Sequence, residues 1–98
     1  MPEHSIRELA NAIHKLHGCD STHIGTVTVT ETFEDEVVWT GEVEIFELID
    51  HPITQRAYAW AYETDSGKLR HVAVLHKPPV DSARAAVRAV IAAEHQTG

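Results

Sequence analysis

The sequence predicts an α+β domain in a two-layer sandwich. A four-stranded antiparallel meander carries two helices on one face, in the order α-β-β-β-β-α. Three observations predict it. Apolar residues recur at helical spacing near each end of the chain. Alternation of period two fills the middle, and turn-forming residues divide the alternating stretches at short intervals. Consecutive strands with short loops pair as antiparallel neighbours, and amphipathic helices need an apolar sheet face to cover their own.

The first helix is expected over residues 5–17. Ser5 and Glu8 have the spacing of a capping box, and Ile6, Leu9, Ala10, Ile13, Leu16 and His17 share one side. Gly18, behind Lys15 and His17, can take the left-handed conformation that ends a helix. Over 24–33 the period becomes two: Val27, Val29 and Phe33 point one way, and Thr26, Thr28, Thr30 and Thr32 the other. Strand 37–49 follows the Glu34-Asp35-Glu36 turn, with Gly41 inside it as a bulge or a close approach.

The turn length decides the register. A two-residue loop of Glu34-Asp35 alone sets Val27 beside Glu42, apolar against polar. A three-residue loop, or an equivalent bulge, sets Phe33 beside Val37 and Val27 beside Val43. The second arrangement is expected. Asp50-His51-Pro52 ends the strand. Strand 56–64 carries Tyr58, Trp60 and Tyr62 on one face and Ala57, Ala59 and Ala61 on the other. A loop at Asp65-Ser66-Gly67 leads into strand 69–77, pairing Tyr58 with Val74, Trp60 with Val72 and Tyr62 with Arg70. Pro78-Pro79 ends that strand. Asp81-Ser82 offers the N-cap of a second helix over 82–95, with Ala83, Val87, Val90, Ile91 and Glu94 on one face.

Ninety-eight residues make one domain, and 43% hydrophobic with 23% charged composition suits a globular chain rather than a disordered one. No apolar run approaches the roughly 18 residues of a membrane-spanning helix. Met1-Pro2-Glu3-His4-Ser5 lacks a basic segment followed by an apolar one, so no secretory signal is expected. The single cysteine, Cys19, excludes an intramolecular disulfide. The expectation is a soluble cytoplasmic protein. Net charge is −7, and the stretch from Asp20 to Asp50 holds nine acids without a lysine or arginine. Neither nucleic acid nor an anionic membrane suits such a chain, whereas a basic protein surface does. Eight histidines would carry the net charge from −7 to +1 if all were protonated. Free imidazole titrates near 6.5, so the charge collapses as the pH falls from about 7 to about 5.

Phrases along the chain also point to a family. They are Glu31-Thr32-Phe33, the run from Trp39 to Phe46, His51-Pro52, the run from Arg56 to Trp60 and the run from Pro78 to Ser82. Together they resemble a family of short bacterial, proteobacterial-type proteins of unknown function, over roughly Val27 to Ile91. The resemblance implies a small soluble bacterial domain and no particular chemistry.

Several constellations carry candidate chemistry. His14, His17, Cys19 and His23, with Asp20 among them, are zinc-ligand types, and His14 and His17 are three apart on a helix. Against zinc, all of them crowd one helix end, where imidazolium is favourable without any metal. Cys19 lacks a recognisable nucleophile motif. Glu42, Glu44 and Glu47 place carboxylates close together, which suits acid–base work but equally a solvated strand. The Tyr58/Trp60/Tyr62 stripe reads as core or as a ligand platform. Two helices on one face leave the other uncovered, at Ala59, Ala61, Ala73 and Leu75.

The leading expectation is therefore a small non-enzymatic protein-interaction domain without a cofactor. Its partner surface is expected at Glu31, Glu42, Glu44 and Glu47 together with Ala59, Ala61, Ala73 and Leu75, for a protein partner or a second copy. The alternative is a small metal- or ligand-binding protein, with zinc at the histidine cluster or a ligand on the aromatic stripe.

Overall fold

A computed structural model describes residues 3–63 and 66–97. The order is α1 (Glu3–His17), β1 (Ser21–Phe33), β2 (Glu36–Leu48), β3 (Arg56–Glu63), β4 (Leu69–Leu75) and α2 (Ala83–Thr97). The strands form one antiparallel sheet in the order β1-β2-β3-β4, so the α+β meander is as expected. Among the described residues no helix is long and apolar enough to cross a membrane.

The helix ends follow local chemistry. Gly18 adopts φ +70° and its amide donates to the His14 carbonyl at 2.9 Å, closing α1. Ser82 Oγ accepts from the Ala85 amide at 3.1 Å, capping α2. The capping box is corrected: α1 already begins at Glu3, so Ser5 lies inside the helix.

The first hairpin takes the bulge in place of the three-residue loop. Its loop has two residues, Glu34 and Asp35, at φ 52° and 66°, and Phe33 pairs with Glu36 rather than with Val37. A bulge at Val38 then restores the alignment, since Thr32 faces Val37 but Glu31 faces Trp39. Val27 thereby meets Val43, as the apolar pattern demands. The second hairpin has the expected register, Tyr58 to Val74, Trp60 to Val72 and Tyr62 to Arg70. Its loop residue Asp65 lies outside the described residues.

The layer count is corrected. The helices lie on opposite faces, making three layers. Leu9 and Ile13 of α1 pack with Phe46, Leu48, Ala57 and Ala59. Ala83, Ala86 and Val87 of α2 pack with Val29, Val43, Tyr58 and Trp60. Adjacent residues of β3 thus go to different helices, which the pleat requires of opposite faces. The cause lies in β3, which is apolar on both sides and needs cover on both. Size matching assigns the partners. The large side chains of α1 reach the alanine face, and the small ones of α2 approach the aromatic face.

The two hairpins meet along a short seam. Pairing of β2 with β3 runs only from Glu44–Ala59 to Glu47–Arg56. Beyond it the hairpins diverge, and Trp39 and Trp60 close the fork edge to face, with centroids 5.9 Å apart. Gly41 makes room for this, because a Cβ there would stand 3.1 Å from the Trp39 ring.

Candidate functional site

The histidine cluster does not assemble. His14 Nδ1 lies 3.4 Å from Asp20 Oδ1 at the surface. His17 Nε2 donates to the Ala73 carbonyl of β4 at 3.1 Å. His23 Nε2 is 2.7 Å from Glu44 Oε1. Cys19 packs at the margin of the core beneath α1. Burial pushes its thiol up and the Asp20 carboxylate adds to the effect, which disfavours the thiolate that zinc or nucleophilic chemistry requires. Among the described residues no three His, Cys, Asp or Glu side chains converge. Four residues close in sequence diverge because the chain turns at Gly18 and then alternates across a strand.

The carboxylates divide into two kinds. Glu42 and Glu47 are exposed. Glu31 is buried, with Arg88 Nε donating to both its oxygens at 3.0 Å and Arg84 Nε 3.7 Å away. Glu44 is fully buried, and its Oε1 takes Thr26 Oγ1 at 2.5 Å as well as His23. Its Oε2 has no hydrogen-bond partner among the described residues. Glu31 and Glu44 are therefore corrected from a solvated docking face to internal anchors. Glu31 ties β1 to α2, and Glu44 ties β2 to β1 under α1.

The expected apolar docking face is also corrected. Ala59 is fully buried, and Ala61, Ala73 and Leu75 are half-buried around it against α1. Filling this space is destabilising: Ala59→Leu is expected to cost about 1–3 kcal/mol through overpacking against Leu9 and Ile13. Urea denaturation checks it. A stabilised Ala59→Leu protein would mean that the face is open. The aromatic stripe is core under α2, with Tyr58 and Trp60 buried and the Tyr58 hydroxyl 2.6 Å from His76 Nδ1.

What sequence reasoning missed is the far half of the β1–β2 hairpin. Phe33 is 68% exposed, Val37 61% and Val38 46%. Phe33 and Val38 line a groove of about 520 Å³ with Ile91 and Ala92 of α2, and the Glu31–Arg88 pair stands in its wall. A signal was present. Adjacent Val37 and Val38 break the alternation, so one of them had to leave the core face. No protein-family model, curated protein or solved structure matches this chain.

Proposed function

We propose that this chain is a cytoplasmic, non-enzymatic protein-interaction domain that engages its partner with the far half of the β1–β2 hairpin. The observation that carries this reading is the pair Phe33 and Val38, both exposed, lining an apolar groove with Ile91 and Ala92 of α2. Contiguous exposed apolar surface marks interaction sites more often than chance. Glu34, Asp35 and Glu36 are exposed at the hairpin tip and supply the charged rim that surrounds an apolar interface centre. Such a rim favours a partner with basic residues at matching positions. The non-enzymatic part is supported by the buried and half-buried polar groups. His17, His23, Glu31, Glu44 and His76 each serve a contact within the fold.

Affinity capture with tagged wild type and the Phe33→Ser/Val38→Ser variant tests this, at low and high salt, in a bacterial lysate. The expected result is a protein retained by the wild type at low salt and depleted severalfold by either the variant or the salt. Identical captures by the two baits, or none by either, would remove this reading.

A further inference from the structure

The sheet has two outer edges, and they are treated differently. The β4 edge is closed: His17 Nε2 occupies the Ala73 carbonyl, and His71 lies 3.4 Å from Glu8 of α1. The strand is also short, and Pro78-Pro79 follows it. Such devices are how proteins blunt an edge strand. The β1 edge lacks these, and its bulge at Ile24 lies outside the Thr26–Thr30 stretch. It is thirteen residues long and lacks proline. Among the described residues, no strand pairs with its outer side and no hydrogen bond within the fold reaches its outward backbone groups. From Ser21 to Thr30 it carries no acid, lysine or arginine, in a chain of net charge −7.

We infer that a second copy of this chain adds to the β1 edge, antiparallel and about a two-fold axis, to form a continuous eight-stranded sheet. The sequence of the edge identifies the occupant. Thr26-Val27-Thr28-Val29-Thr30 reads the same in both directions. A two-fold axis at Thr28 pairs that residue with its own copy, Thr26 with Thr30 and Val27 with Val29. Threonine then meets threonine on one face and valine meets valine on the other, both favourable cross-strand pairs. No like charges oppose each other along that stretch. Glu31, the first acid beyond it, comes opposite Gly25 and is already held by Arg84 and Arg88. A partner chosen for its charge gains nothing along this neutral edge, whereas a copy satisfies the symmetry that its interface requires. The inference rests on the hairpin as the interacting element but uses its edge rather than the groove.

Sedimentation velocity over a wide concentration range, at low and high salt, tests it. A monomer–dimer equilibrium is expected that tightens with salt, because two acidic copies repel and salt screens them. A basic partner would show the opposite dependence. Thr28→Lys places two ammonium groups opposite each other at the axis, while within each copy the lysine faces Glu42 across β2, which favours folding. It is expected to raise the dimer dissociation constant about fivefold at low salt, equivalent to ~1 kcal/mol. Thr28→Val is expected to leave association intact. A monomer at every concentration would overturn the inference, as would a dimer unaffected by Thr28→Lys. A dimer lost in Phe33→Ser/Val38→Ser but kept in Thr28→Lys would overturn it too, while leaving the groove reading standing.

Discussion

His23→Ala is expected to destabilise the fold by about 3 kcal/mol, of which about 2 is the hydrogen bond to the buried Glu44 carboxylate and about 1 the ring's contact with Phe46. Glu44 lies in the middle of the sheet, between Thr26 on β1 and Ala59 on β3, and its side chain is fully buried. His23 and Thr26 both address its Oε1. Without the imidazole, one neutral hydroxyl remains to support a carboxylate removed from water. The loss is no larger because the His23 side chain is 28% exposed, so water reaches its site from one side. Glu44→Met should behave differently. It removes the buried carboxylate with its unpartnered Oε2, while Thr26, which is exposed, and His23 turn to water, so the change is expected near zero. In that background His23→Ala loses only the ring's edge contact with Phe46, centroids 5.4 Å apart, and should cost about 1 kcal/mol. Urea denaturation of the four proteins closes the cycle. An equal cost of His23→Ala in both backgrounds would assign the effect to packing on Phe46 and not to the carboxylate.

That pair also shows what the sequence could and could not reveal. Strand alternation, Gly18 and Ser82 were legible because each acts locally, through the pleat, a left-handed φ or a side-chain cap. The registers were legible because a slip would have set apolar against polar along a whole hairpin. The faces of the helices were not. Strand β3 reads apolar on both sides, and only the fit of Leu9 and Ile13 to alanines, and of Ala83 and Ala86 to aromatics, decides the matter. The buried acids were hidden for a related reason. Glu44 stands on the face that carries the threonines, and it is buried only because α1 covers the end of β2. Glu31 owes its burial to Arg88, which lies 57 residues further along the chain. The groove was hidden by the bulge at Val38, which keeps the inner alignment correct and leaves Val37 and Phe33 exposed beyond it.

Trp60→Ala is expected to cost about 3–5 kcal/mol, the range for truncating a buried aromatic residue. Against a total of roughly 5–15 kcal/mol for a domain, that is a large share of the stability. The position makes the loss more than a matter of volume. Trp60 is the first residue of β3 beyond its ladder with β2, and it is buried against Trp39 on one side and Val87 of α2 on the other. Among the described residues the β2–β3 ladder stops at Ala59, so the two indoles hold the fork beyond it. Truncation should therefore loosen the β1–β2 hairpin selectively. Amide exchange in 36–43 is expected to quicken more than in Glu44–Glu47, where the ladder persists. Trp39 is only half-buried, so Trp39→Ala should cost less overall while quickening exchange in the same segment. Exchange in 36–43 that stays at the wild-type rate in Trp60→Ala would show that the hairpin is rigid by itself. A quickened rate would mean that the aromatic fork sets the hairpin's angle, and with it the geometry of both the groove and the β1 edge.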